Sequence, residues 1–594
     1  MKQITVIVSI LAWLGLLSLN MLDSTIVSTA HAQGSTFYVA TTGSDTSGDG
    51  SSANPWATIT HALDSVPDDS TILVRPGTYV GRVRLRGTFT QGVTVRSEIP
   101  YQARLRYNAT VVTSFYGQGI TLEGFDIAHS GPGSGGLVIQ IQDLLGAYNG
   151  DNGGTDPVVN RITLRNNVLH DSYNNDILKV NNGATQVTIE GNMFYNQTGS
   201  DEHIDVNSVT DVVVQDNVFF NDFAGSGRTN FNDTSSYVVI KDSNEADDTV
   251  LGSRRVTVRR NVFFNWEGST GQGFVRVGED SQAYFEAQDV LIENNLMIGN
   301  SPHQIRSPFQ VMRAFSVTIR ANTVTGNLPA KEFGNRLYTI PNTLPNPKND
   351  QIQLHNNIWS DPTGSMGDTF NRGDNTSNLT FDNNLFWNDG NPFPTSGESI
   401  IEVSDDTHRI VADPLLGAQT GLVLPRWNEG AGQFADGSTS IQEAFERLVT
   451  LYGTPLSGSP AIDAADPGQA PNEDILGQAR PNGSAPDIGA VEFVPALILQ
   501  GFPADQSIRL TWNVNTLLPE ATTWQIEYDG PAGNETSPVT NIISPTRSYT
   551  LTGLTNHIPY TVILKAMLNS NSILTDSTTV TPTDIFVYLP QILK

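Results

Sequence analysis

From Ile162 onward the chain repeats one pattern of apolar and polar positions. The segments are ITLRNNVLHDS from Ile162, VTIEGNMFYNQ from Val187, VVVQDNVFFND from Val212 and VTVRRNVFFNW from Val256. They continue as VLIENNLMIGN from Val290, VTIRANTVTGN from Val317, IQLHNNIWSDP from Ile352 and LTFDNNLFWND from Leu379. Each reads as a short strand with apolar residues at alternate positions, then an Asn, then a second apolar pair. The shared residues are Asn167, Asn192, Asn217, Asn261, Asn295, Asn322, Asn357 and Asn384, separated by steps of 25, 25, 44, 34, 27, 35 and 27. A floor near 25 with larger excursions predicts a solenoid whose coils take about 25 residues, with loops of varying length at the corners. Propeller blades need about 40–45 residues, too many for the short steps. Stacking at about 4.8 Å per coil places side chains of equal phase in rows. The Asn row is expected to turn the chain at a corner, bond along the axis and take the left-handed backbone that Asn tolerates. The fold class is therefore all-β: a right-handed parallel β-helix over residues 33–407, followed by a C-terminal β-sandwich.

Ahead of the repeats, Ala57 to Val66 reads as a short amphipathic helix, followed by a strand Thr71–Arg75 and the turn Pro76-Gly77-Thr78. Such a helix can shield the first edge strand. The stretch from Phe37 to Tyr79 resembles the start of the pectate-lyase-like β-helix superfamily. Past residue 400 the period fades. Residues 408–494 contain ADPLLG, GSPAIDAADPG, DILGQARP and PDIGAVEF, which resemble the choice-of-anchor Q domain found behind β-helices in secreted bacterial proteins. This region is expected to cap the solenoid. Residues 497–582 hold Trp512, Tyr528, Leu554 and Tyr560, and the Leu554–Tyr560 spacing resembles the fibronectin type III domain. Residues 583–594 form an apolar tail with a basic end.

Composition narrows the partners. Net charge is -28, from 61 acids and 33 bases. That balance opposes nucleic acid, whose phosphates draw basic surfaces. An acidic polysaccharide stays compatible, because a divalent cation can bridge two anions. Cysteine is absent, so stability comes from the core rather than from disulfides. Met1-Lys2, an apolar run from Ile4 to Leu19 and the small-x-small site Ala30-His31-Ala32 predict a signal peptide over residues 1–32 and a secreted or cell-surface protein. No later segment reads as a membrane span. The mature chain is expected to be monomeric.

Chemistry on a solenoid should appear as polar residues at one phase in successive coils. NNDILKVNNG carries Asp176 and Lys179, GSDEHIDVNSV carries Asp201, Glu202, His203 and Asp205, and SSYVVIKDSN carries Lys241. Asp176 and Asp201 each follow their corner Asn by nine residues, which predicts that they stack directly. Four carboxylates, Asp176, Asp201, Glu202 and Asp205, would then crowd one patch and repel one another. Ca²⁺ relieves that conflict, since it takes 6–8 oxygen ligands. Zinc fits poorly, with no Cys and only His203 nearby. The local patterns ILKVN, HIDVN and VIKDS align Lys179, Asp205 and Lys241 in one row. Arg276 in FVRVGED continues it as a partner for a substrate carboxylate. Lys179 and His203 are further substrate-binding candidates, and Arg254 and Arg255 weaker ones. Tyr173, Phe223, Phe231 and Trp266 are candidates to line sugar subsites. Two loops, Asn221 to Ser236 and Ala147 to Pro157, are candidates to wall a groove.

The order of an Asp, then Asp-acid-x-x-Asp one coil on, then a Lys after one more coil, resembles polysaccharide lyase family nine, calcium-dependent pectate lyases. The resemblance covers about 70 residues and implies that Asp176, Asp201, Glu202 and Asp205 hold calcium and that Lys241 is the base. Glu202 stands where the family usually has Asp. Three functions remain open: a lyase of a uronate-containing polysaccharide, a non-catalytic adhesive β-helix, and a glycoside hydrolase.

Overall fold

Alternation along each repeat determines what the strands bury. In a computed structural model, residues 34–143, 158–229, 233–243, 250–279, 283–331, 335–337, 347–367, 371–372, 376–394, 402–515, 518, 521–529, 539–568 and 571–584 are described. Each typical coil contributes three strands. One coil runs Asn160–Arg165, Val168–His170 and Leu178–Asn181; the next runs Thr185–Glu190, Met193–Tyr195 and Glu202–Asn207. Equivalent strands pair in parallel from coil to coil, as in Val187 with Val212 and Val212 with Val256. The result is the expected parallel β-helix with three faces.

Alternate residues point inward. Val187, Ile189, Val212, Val214, Val256 and Val258 are all fully buried in one continuous core. Phe194, Phe219 and Phe263 stack within it at centroid spacings of 4.9 and 4.8 Å. Such rows bury large area at each coil, which compensates for the absence of disulfides.

The Asn row forms a ladder at one corner. The side-chain oxygen of each Asn from Asn192 to Asn384 accepts from the backbone N–H of the Asn one coil earlier, at 2.8–3.0 Å. Asp406 closes the row, accepting from the backbone of Asn384 at 2.8 Å. The left-handed turn falls one residue earlier than expected. Asn166, Asp216, Arg260, Asn294, Ala321, Asn356 and Asn383 have positive φ; the ladder Asn residues do not. A ladder Asn must aim its amide along the axis, so its neighbour takes the strained backbone. Both roles favour short polar side chains, and the repeats read NN or DN at several coils.

At the start, Thr58 caps a helix Ile59–Ser65, its side chain accepting from the His61 N–H, and Ile59, Ala62 and Leu63 bury against the first coils. Beyond the last strand pairing, Leu385 with Ile410, the chain runs back along the flank. Trp427, Phe434, Ile441, Phe445 and Leu448 cover the apolar outer side of the face that contains Val168–His170, made by Val168, Met193, Tyr195, Val218, Phe220, Val262, Phe264, Leu296 and Ile298. Tyr101 in an early coil packs on Trp427 at 4.9 Å. The expected cap is thus mainly a lateral brace. A face apolar on both sides must be covered on both.

Two antiparallel sheets follow. One joins Leu497–Ala504, Ser507–Val514 and Ser548–Thr552; the other joins Val539–Ile543, Thr523–Asp529, Tyr560–Leu568 and Asn571–Val580. Trp512 and Trp524 meet between them at 5.6 Å, and the Tyr560 hydroxyl accepts from the Thr555 N–H at 3.0 Å. The expected signal peptide, the Ala147–Pro157 loop, Phe231 and the tail beyond residue 584 lie outside the described residues.

Candidate functional site

The face that contains Leu178–Asn181 carries the predicted polar row. Its strands Leu178–Asn181, Glu202–Asn207, Ser236–Lys241 and Gly273–Val277 pair in order. Lys179 stands opposite Asp205, Asp205 opposite Val239, and Val239 opposite Arg276. Arg276 therefore continues the row as expected. Lys241 does not stand in it: its register partner is Asn207, two residues further along the strand. The side chain still faces the same way, because a shift of two preserves strand parity. Its Nζ lies 4.0 Å from Oδ2 of Asp205.

The carboxylates differ from the expected set by one residue. Asp176 is level with Glu202, whose N–H donates to Asp176 Oδ1 at 2.9 Å, rather than stacked on Asp201. The corner Asn step is 25, but this face advances by 26, from Leu178 to Ile204. One extra residue sits in the turn before Glu202 and is recovered after Asn207. Asp176, Glu202 and Asp205 offer oxygens that all lie within 4.8 Å of one another. Asp201 is outside this group and partly exposed. Strict alternation would turn Glu202 inward with Ile204 and Val206. The strand breaks that pattern at His203, so His203 takes the inward place and Glu202 joins Asp205.

His203 is consequently not on the substrate wall. It is fully buried, its Nε2 pairs with Asn221 Oδ1 at 3.0 Å, and its ring stacks on Tyr237 at 4.4 Å. Burial pushes its pKa down to about 3, so it is a neutral packing residue. Phe223 and Trp266 are also fully buried and line no open subsite. Tyr173 is partly exposed and rests on the Arg228 guanidinium at 4.0 Å. Arg254 and Arg255 belong to the neighbouring face, where Arg255 pairs with Asp211 at 2.6 Å. The Asn221 loop folds back, and Arg228 reaches Asp171 at 2.7 Å.

Electrostatics mark the cluster. Burial, with Asp205 alongside, pushes the Asp176 carboxyl up to about 7. Burial and Asp176 raise Glu202 well above the ordinary range. Burial raises Asp201 to about 6. Lys179 donates to Asp205 Oδ2 at 2.6 Å. For Lys241, burial opposes the charge, but Asp205 and Glu279 outweigh it and hold the ammonium above its usual range. Oδ1 of Asp205 is buried and without a hydrogen-bond partner. Two buried acids driven toward protonation and one orphaned oxygen make a site short of positive charge.

Glu279 escaped the sequence reading. It lies after the Gly273–Val277 strand and contacts both Lys241 and Arg276. Its segment, FVRVGED, runs on from the strand into a turn, and a turn carboxylate has no repeat phase to mark it.

No known family profile matches the chain, and no curated protein does. Solved structures with similar folds include pectate lyase Pel9A, at 13% identity and a TM-score of 0.47 over 78% of this chain and 97% of that one. XylC in complex with xylose follows at 13% and 0.43, over 77% and 98%. A rhamnogalacturonan lyase matches at 13% and 0.40, over 71% and 99%. At this level of similarity the functional reading stands on the residues of the site.

Proposed function

We propose that this protein is a secreted, calcium-dependent lyase that cleaves a uronate-containing polysaccharide by β-elimination. The observation that carries the reading is the Lys241 amine 4.0 Å from Asp205, beside a buried acidic triad on one outer wall.

The donor set fits a hard cation. Asp176, Glu202 and Asp205 supply only oxygens, His203 is turned away, and the orphaned Asp205 oxygen is left for a ligand. Calcium takes 6–8 such oxygens, so Asp176, Glu202 and Asp205 would hold it with room for further oxygen ligands. Asp201 is then a peripheral group rather than a member of the triad. When bound, calcium neutralises a uronate carboxylate and offsets the carboxylate field that keeps Lys241 protonated.

The residues of this chain do the rest. Arg276, one strand beyond Lys241, binds the substrate carboxylate through its guanidinium. Lys179 holds Asp205 in place through their 2.6 Å contact. Lys241, as its free amine, takes the proton from C5 of the uronate. The C5–H electron pair forms the C4–C5 double bond and the C4–O bond breaks, releasing the leaving sugar without water. The hydrolase alternative needs two carboxylates about 5–9.5 Å apart flanking a sugar. The triad oxygens lie within 4.8 Å and are buried, which disfavours it.

The test incubates calcium-loaded protein with pectate, alginate or glycosaminoglycan and follows the ultraviolet absorbance of the unsaturated uronide. Absence of that product from every polyuronate, with calcium present, sinks the proposal.

A further inference from the structure

Beside the triad, one fully buried hydroxyl lies on the same wall without a partner. Ser236 opens the strand Ser236–Lys241 and stands opposite Glu202 in the register. Its direction follows from its neighbour. Tyr237 turns into the core, where it stacks on His203 at 4.4 Å. Ser236 therefore faces outward with Glu202, one coil further along. Its Oγ is buried and has no hydrogen-bond partner. A buried hydroxyl left bare is costly, and a Ser side chain can rotate toward any acceptor within reach.

Asp205 is divided in a matching way. Its Oδ2 accepts from Lys179 at 2.6 Å and lies 4.0 Å from the Lys241 amine, while its Oδ1 is buried and bare. Two buried oxygens of this wall, one charged and one neutral, are thus left unpartnered. Oxygens on opposite sides of a calcium ion are about 4.6–5.2 Å apart, twice a Ca–O bond of 2.3–2.6 Å. One coil rises by about 4.8 Å. An ion at the level of Glu202 and Asp205 is therefore within reach of an oxygen on the next coil. The register row of Ser236 continues with Gly273 and then Ser307, whose Oγ already donates to the Phe309 carbonyl at 2.8 Å.

We infer that the Ser236 hydroxyl is a neutral fourth protein ligand for the calcium ion that the triad would hold. The inference rests on the calcium reading of the triad. The hydroxyl adds an oxygen without adding charge. Three carboxylates already exceed the charge of one divalent ion, so a fourth would restore the repulsion that the ion relieves. Asp176, the Glu202–Asp205 pair and Ser236 belong to three successive coils, so the ion also ties those coils together.

The test sets stability against affinity. Ser236→Ala deletes a bare buried hydroxyl, so the melting temperature measured in chelator should rise. The same change should weaken calcium binding about ten-fold by calorimetric titration. Ser236→Cys exchanges a hard oxygen for a soft sulfur in a chain that has no other Cys. It should bind zinc about ten-fold more tightly than wild type while its calcium affinity falls. Calcium affinity in Ser236→Ala equal to wild type overturns the ligand, as does a Ser236→Cys protein with no gain for zinc. Weaker calcium binding together with a lower melting temperature in chelator assigns Ser236 to packing and overturns it too. Wild type that takes up no calcium sinks the calcium reading of the triad itself, whereas uptake that ignores both substitutions sinks only the role of Ser236.

Discussion

Lys241 stands opposite Asn207 in the strand register, yet its Nζ lies 4.0 Å from Oδ2 of Asp205. A diagonal contact of this kind lets the amine serve the preceding coil while it also donates to Glu279. The proposed base is thus placed by side-chain length and strand parity as much as by register.

Lys241→Ala should lower lyase turnover by about 10²–10⁴-fold, the range for removing a positioned general base. Calcium affinity should persist, since Lys241 supplies no oxygen ligand. Steady-state rates on a polyuronate, paired with calcium titration, check both halves; unchanged turnover removes Lys241 from the mechanism.

Asp205→Asn should weaken calcium binding more than Asp201→Asn, because Asp205 belongs to the triad and Asp201 does not. Calorimetric titration of each variant with calcium gives the ranking directly. A larger loss at Asp201 would return that residue to the ligand set.

The metal-free protein should lose stability as pH rises from about 4 to about 7. Asp176 at about 7 and Asp201 at about 6 both lie above an unfolded carboxyl value of about 3.9. The folded chain therefore holds protons that the unfolded chain releases, and each unit of pH across that window favours unfolding. Calcium needs the deprotonated carboxylates, so the stabilisation it gives should grow over the same interval. Melting temperatures with calcium and with chelator, taken across pH, should diverge upward; parallel curves would count against a cation at the triad.

Asn261→Ala should destabilise the solenoid by roughly 1–3 kcal/mol for each buried group it orphans. Asn261 Oδ1 accepts from Asn217, and its own Nδ2 donates to the Val214 carbonyl at 3.0 Å. Denaturant unfolding measures the shift in midpoint.

Phe445→Ala should loosen the flank without touching the proposed chemistry. Phe445 is buried where the helix Ile441–Leu448 covers the face that contains Val168–His170. A buried Phe→Ala change costs about 3–5 kcal/mol. Faster proteolysis within residues 412–493, at unchanged calcium affinity, is the expected signature.

Most of the solenoid was legible because its information is local. Alternating Val and Ile pairs, the recurrent Asn and steps near 25 specify strand, corner and coil, and each coil meets only its neighbours. Composition alone excluded a disulfide framework. The brace was harder: its motifs stood out, but nothing in residues 408–494 says which face they cover. The apolar pairs after each Asn, such as Val218 and Phe220, were the available signal, since they are too apolar for a solvent face.

Charge, repeat phase and residue type were enough to gather Asp176, Glu202, Asp205, Lys241, Lys179 and Arg276 on one wall. Tertiary structure alone decided their membership. A single extra residue before Glu202 moved Asp176 level with Glu202 instead of Asp201, and a break in alternation sent His203 into the core. Glu279 entered from a turn that carries no repeat. Periodicity reports which face a residue occupies, whereas contacts within a few ångströms depend on register, and register is established only when the coils close on one another.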